Sequence, residues 1–207
     1  MSPVELHVLL AFIPAALALN LTPGADMMFC LGQGMRGGVR PSLAASAGIS
    51  TGGFVHVTIA ALGLSAVLAT MPWIFEVIRW AGVCYLLYLA VQTLRTPLSG
   101  GSSKVARPAR AYLDGLLVNL MNPKVILFIL AFLPQFVDPT RAVLPQFLTL
   151  GLVMAIGGFI VNGLVGVFAS GVGHVLLQNP RVDRILRFVS ATVFGALALK
   201  IATEAKQ

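Results

Sequence analysis

Polar and ionisable side chains gather at two points of an otherwise apolar chain, and each point contains a proline. The first group is Asn20, Thr22, Pro23, Gly24 and Asp26, and the second is Asn119, Asn122, Pro123 and Lys124. A proline inside a helix removes one backbone donor and clashes with the preceding turn, so nearby carbonyl groups lose their helical partners. Carboxylate, ammonium, amide and freed backbone groups could together bind the charged ends of a zwitterion, and Asp26 could bind and release a proton. A structural ion pair between Asp26 and Lys124 is the alternative interpretation.

The composition indicates that lipid surrounds these polar groups. Of the 207 residues, 57% are hydrophobic and only 10% are charged, and the mean hydropathy is +0.91. A soluble domain is about a quarter charged, because its surface faces water. A charge inside the bilayer costs roughly 2.5–3.5 kcal/mol on insertion scales, so ionisable residues there usually have a function.

About six apolar segments are long enough to span a bilayer as helices, which takes roughly 20 residues each. They are Val4–Gln33 (interrupted at Pro23), Ser42–Thr70, Pro72–Leu94, Tyr112–Val137, Ala142–Gly171 and Asp183–Ala202. We therefore predict an all-α membrane protein and one transmembrane domain over residues 1–207. Within it we expect a first repeat over about 1–95, a loop over about 96–111 and a second repeat over about 112–207.

Short sequence matches recur in the same order in the two halves. The pairs are Asn20-Leu21-Thr22-Pro23 with Asn119-Leu120-Met121-Asn122-Pro123, Gly52-Gly53-Phe54 with Gly157-Gly158-Phe159, and Ile78-Arg79-Trp80 with Leu186-Arg187-Phe188. A repeat of three helices has an odd number of crossings, so its second copy enters the membrane from the opposite side. This pattern predicts an inverted-topology repeat, with the first helix of each copy broken at its proline.

The basic residues predict the orientation. The net charge is +7, and most Lys and Arg residues lie in the first, third and fifth loops. Because cytoplasmic loops are enriched in Lys and Arg, we expect these loops in the cytoplasm and both termini outside. This distribution does not form a basic patch interleaved with aromatic residues, so no nucleic-acid partner is expected.

His56 and Asn162 are the other polar residues deep in apolar segments. Small residues recur every four positions around each of them, which places each on a stripe of small residues. The stripes are Ala44, Gly48, Gly52, His56 and Ala60 in one segment, and Gly158, Asn162, Gly166 and Ser170 in the other. We expect both to face the interior and to contribute to a substrate site, with a purely interhelical hydrogen bond as the alternative. The other histidines lie near segment ends, so no metal site is predicted.

The motifs resemble those of the LysE/RhtB family of bacterial amino-acid exporters over essentially the whole chain. The resemblance rests on Asn20-Leu21-Thr22-Pro23-Gly24-Ala25-Asp26, on Gly115-Leu116-Leu117-Val118-Asn119-Leu120-Met121-Asn122-Pro123-Lys124, and on Phe132-Leu133-Pro134-Gln135-Phe136. Ala25 stands where family members usually have a second proline. The resemblance implies a proton-coupled secondary exporter, an antiporter of the bacterial inner membrane, that moves amino acids or small derivatives outward. It implies neither an enzyme nor a cofactor, and it leaves a homodimer open.

The scarcity of acidic residues in the membrane favours a neutral substrate over a dibasic amino acid. Two readings from other classes remain open at this point. An intramembrane thiol-redox carrier needs two neighbouring cysteines, and the chain has only Cys30 and Cys84. A non-transporting membrane scaffold would explain the helices, but not the polar residues at both prolines.

Overall fold

The computed structural model describes residues 3–70, 107–171 and 180–204, together with scattered helical positions between 77 and 95. Within these residues every regular element is a helix. The helices are α1 (Leu6–Leu21), α2 (Ala25–Gly37), α3 (Val39–Thr70), α4 (Pro108–Leu120), α5 (Pro123–Ala131), a short 3-10 turn (Leu133–Phe136), α6 (Val143–Ala169) and α7 (Pro180–Glu204). The all-helical prediction is therefore confirmed.

Both predicted helix breaks are present. The helix axis bends by 57° between α1 and α2, and by 54° between α4 and α5. At the first break Thr22 ends α1 in an extended conformation, because Pro23 cannot donate the next helical hydrogen bond. At the second break Asn122 is extended as well, and Pro123 is the first residue of α5, a position whose N–H has no partner within that helix.

Among the described residues, two continuous helices are long and apolar enough to cross a membrane. They are Val39–Gly63 within α3 and Val143–Ala169, which is α6, and the number rises to four if each bent pair forms one span. The sixth predicted segment coincides with α7. Most of the third predicted segment, Pro72–Leu94, and most of the predicted loop lie outside the described residues.

The two long helices α3 and α6 lie at the centre of the described structure. α3 packs along α4 and α6, and α6 also contacts α1 and α2. Glycine allows the closest of these approaches: a Cβ on Gly48 or Gly115 would collide with backbone atoms across the α3–α4 contact. Gly34 and Gly166 have the same function between α2 and α6. Small residues at membrane helix contacts permit close van der Waals packing, since water drives no association there.

Large apolar side chains cover the outside of the bundle. Leu10, Ile59, Leu117 and Ile160 are each more than half exposed. A soluble protein rarely exposes so much continuous apolar surface. The arrangement fits a protein whose outer face contacts lipid, as the composition predicts.

We expect Gly115→Ala to destabilise the bundle, because the added Cβ would meet the backbone of Ala45 on α3. Overpacking of this kind costs about 1–3 kcal/mol. The measurement is thermal unfolding of the purified protein in detergent. Gly63→Ala on α3 is the matched control, since no described atom lies within 4 Å of its added Cβ. Equal melting temperatures for the two variants would contradict this description of the helix contact.

Candidate functional site

The break at Pro23 leaves a backbone carbonyl that a side chain from the second half of the chain satisfies. In a continuous helix the Leu19 carbonyl would accept a hydrogen bond from residue 23, which has no N–H because it is proline. The Lys124 ammonium nitrogen instead donates to the Leu19 carbonyl at 3.1 Å and to the Thr22 carbonyl at 2.9 Å. This contact also places a positive charge at the carboxyl end of α1, where the helix dipole is negative.

At the break at Pro123, a backbone donor of the same half and a side chain of the first half lie at the freed carbonyl. The Asn119 carbonyl would pair with the missing N–H of residue 123. It accepts instead from the Asn122 backbone N–H at 2.9 Å, and the His56 ring nitrogen Nε2 lies 3.4 Å away. Because a carbonyl oxygen only accepts, this contact requires the His56 proton on Nε2. Thus Lys124 of the second half lies at the first break, and His56 of the first half lies at the second break.

A side-chain contact joins the breaks directly. The Asn119 amide donates to Asp26 Oδ2 at 2.8 Å. Asp26 is 9% exposed and lies in the first turn of α2, where the helix dipole favours a negative charge. Lys124 and Asp26 attract each other electrostatically. The Asn122 side chain caps α5 by accepting from the Lys124 backbone N–H at 3.0 Å.

Glycines make room for these polar side chains. A Cβ on Gly24 would lie 3.1 Å from Lys124 Nζ, and one on Gly52 would lie 2.9 Å from the Cβ of Asn119. Asn20 has a corresponding position in the other half: it lies against the glycine pair Gly157–Gly158, at 3.2 Å from each added Cβ. Each asparagine therefore packs on the glycine pair of the opposite half.

A small polar chamber of about 30 Å³ lies where these elements meet. Its lining comes from both breaks and from the central helices: Leu19, Asn20, Thr22, Asp26, Met27, Ile49, Ser50, Gly53, Asn119, Lys124, Val125, Met154, Ala155, Gly158 and Asn162. Six predicted site residues line the chamber: Asn20, Thr22, Asp26, Asn119, Lys124 and Asn162. The described lining does not include the other five, Pro23, Gly24, His56, Asn122 and Pro123, which belong to the breaks or contact them.

The sequence reasoning missed Ser50 and Met154. The Met154 carbonyl accepts from the Asn20 amide at 3.3 Å, and Met154 is 4% exposed. Ser50 lies three residues before Gly53, so both share one face of α3. Ser50 could have been predicted from the sequence, because it places a hydroxyl group near a glycine on an otherwise apolar helix. Met154 carries no such signal, since its type suits any core position.

The two cysteines differ in their exposure to solvent. Both are free thiols, and Cys30 is buried while Cys84 is exposed. The structure therefore gives no support to a thiol-redox carrier that exchanges a disulfide between them. In the described parts of the chain, no group of three or more His, Cys, Asp or Glu residues could hold a metal ion.

Comparison with known proteins identifies the family. The model of the LysE type translocator family matches residues 17–205, so the chain belongs to this family of membrane proteins. It is 31% identical to an uncharacterized membrane protein of Vibrio cholerae over 97% of this chain and 98% of the relative. It is 30% identical to the homoserine/homoserine lactone efflux protein of Salmonella typhimurium, over 90% of this chain and 93% of that protein. It is also 30% identical to the leucine efflux protein of Klebsiella pneumoniae, over 94% of each. No solved structure matches the chain.

We expect Lys124→Met to destabilise the protein by roughly 3–5 kcal/mol, because it leaves Asp26 as a buried charge without its cation. It also removes the donor to the Leu19 and Thr22 carbonyls. The double variant Asp26→Asn/Lys124→Met should recover part of this loss, and thermal unfolding of the three variants measures the coupling. Additive losses would show that the two charges do not interact.

Proposed function

We propose that this protein is a secondary exporter of neutral amino acids or their small derivatives, driven by the proton gradient. The chamber between the two broken helices is the observation that carries this proposal. Broken membrane helices meeting near mid-bilayer are typical of transporter substrate sites. The names of the relatives, homoserine/homoserine lactone efflux and leucine efflux proteins, support amino-acid export.

The chamber has the chemistry that a zwitterion requires. Asp26 and Lys124 supply one charge of each sign, and the amides of Asn20, Asn119 and Asn162 supply uncharged hydrogen bonds. Asp26 is also the acidic residue of the chamber, so it is our candidate for the coupling proton. A volume of about 30 Å³ does not hold a whole amino acid, so binding of a substrate would require the chamber to widen.

We further propose that the chain forms six transmembrane helices as two inverted three-helix repeats. The reciprocal contacts support this arrangement: Asn20 packs on Gly157–Gly158, while Asn119 packs on Gly52. Lys124 donates to the carbonyl four residues before the first proline, and His56 lies 3.4 Å from the carbonyl four residues before the second. When the site changes from facing the cytoplasm to facing the outside, these contacts between the two halves would separate and form again.

The membrane location follows from the family and from the basic loops. We place the protein in the bacterial inner membrane, with the odd-numbered loops in the cytoplasm and both termini in the periplasm. The distribution of Lys and Arg among the loops is the evidence for this orientation. Whether the protein works as a homodimer does not affect the site, whose lining comes from one chain.

The function is tested by an efflux screen over amino acids and analogues in cells and proteoliposomes. We expect export of one or more neutral amino acids, and we expect Asp26→Asn to reduce it at least about tenfold, because the variant cannot carry the proton. Asp114→Asn is the matched control, since Asp114 is held at the surface by Arg110 at 2.9 Å. Export by Asp26→Asn at the wild-type rate would refute the assignment of Asp26.

The orientation is tested with reporter fusions at the carboxyl terminus. Alkaline phosphatase is active only in the periplasm, and a green fluorescent protein exported by the general secretory route does not become fluorescent there. We expect an active phosphatase fusion and a dark fluorescent fusion. The reverse pair of results would place the carboxyl terminus in the cytoplasm and exclude six crossings with both ends outside.

A further inference from the structure

The chamber holds buried polar atoms that have no hydrogen-bond partner among the described residues. Those on its lining residues are Asp26 Oδ1, Ser50 Oγ, Asn119 Oδ1 and Asn162 Oδ1. Asn119 and Asn162 are each 3% exposed, and Asp26 is 9% exposed. A buried polar atom without a partner costs free energy, so four of them around one chamber indicate a ligand that pairs with them.

These four atoms can all accept hydrogen bonds. A carboxylate oxygen and two amide oxygens only accept hydrogen bonds, and a serine hydroxyl can also accept. The orientation of the Asn119 amide is fixed, because its NH₂ group donates to Asp26 Oδ2 at 2.8 Å and its oxygen must point elsewhere. The Asn122 side chain interacts with the Asp26 carboxylate and its Nδ2 makes no hydrogen bond of ordinary geometry, but Asn122 is not part of the described lining.

We propose that the chamber is a subsite for a primary ammonium group. An ammonium nitrogen has three N–H donors and a positive charge, which match the acceptors of Asp26, Asn119 and Asn162. The Lys124 ammonium also lines the chamber, and it donates to the carbonyls of Leu19 and Thr22 at the α1 break.

The size of the chamber agrees with this assignment. A cavity needs a volume of roughly 10–15 Å³ to hold one water molecule. The chamber of about 30 Å³ therefore accepts an ammonium group with the carbon attached to it, and not a whole amino acid.

The inference rests on the proposed export function and narrows its substrate class. If the site recognises the ammonium end, the carboxylate of the substrate makes a smaller contribution to recognition. Amides, esters and lactones of amino acids should then bind, whereas N-acylated amino acids should not. The recognised feature is a free primary amine.

Binding of small probes to the purified protein in detergent tests the subsite directly. Methylammonium chloride should raise the melting temperature in a saturable way, while sodium acetate and sodium chloride should not. Asn162→Leu should weaken methylammonium binding about tenfold or more, the effect of losing one hydrogen bond to a charged group. Asn162→Asp keeps an acceptor and should retain binding, and Thr149→Val, whose exposed hydroxyl donates to the Pro145 carbonyl, is the control.

Several outcomes would overturn the proposal. One is that sodium chloride raises the melting temperature in the same saturable way, which would indicate a simple cation site. The others are that methylammonium has no effect on the melting temperature, or that Asn162→Leu binds methylammonium with unchanged affinity.

A second experiment measures competition against leucine export. Leucinamide should inhibit the export of leucine, and N-acetylleucine should not. Export inhibited only by N-acetylleucine would refute the subsite and leave the exporter standing. Methylammonium binding without export of any amino acid would refute the exporter and leave the subsite standing.

Discussion

Two missing backbone N–H groups set the constraint on which the site depends. Pro23 and Pro123 each leave a carbonyl without its helical partner, and inside a bilayer lipid cannot supply the missing donor. At the first break the donor comes from the opposite half, since Lys124 donates to the Leu19 carbonyl. At the second break the Asn122 backbone N–H donates to the Asn119 carbonyl, and His56 of the opposite half lies 3.4 Å from it. Because a side chain of each half contacts the break of the other half, the two breaks face each other, and the polar chamber lies where they meet.

This arrangement exchanges stability for binding chemistry. Small residues let helices approach closely around the chamber, and that packing stabilises the bundle. The acceptors left without partners at Asp26, Asn119 and Asn162 act in the opposite direction, since each such group costs about 1–3 kcal/mol. An inert scaffold would gain stability by replacing them with apolar residues. Their presence is therefore best explained by a ligand that supplies the missing donors.

Sequence reasoning predicted the features that follow from covalent structure and periodicity. Proline dictated where the helices break, and the four-residue spacing of small residues predicted that His56 and Asn162 face inward. It could not separate residues that line the chamber from those that support the breaks, such as Asn122 and His56, because that distinction depends on three-dimensional packing. Met154 was unpredictable for the same reason: its backbone carbonyl, and not its side-chain type, contacts Asn20.

The direct contact between the breaks can be tested by cross-linking. In a protein whose native cysteines are replaced by serine, Asp26→Cys and Asn119→Cys should form an oxidative or mercury-bridged link, since the native side chains are 2.8 Å apart. Asp26→Cys with Asp114→Cys, five residues before Asn119 on α4, is the pair expected to stay unlinked. Mass spectrometry of the linked peptides is the readout. A strong link for the first pair alone supports the interlocked breaks, whereas no link between positions 26 and 119 in folded protein would contradict them.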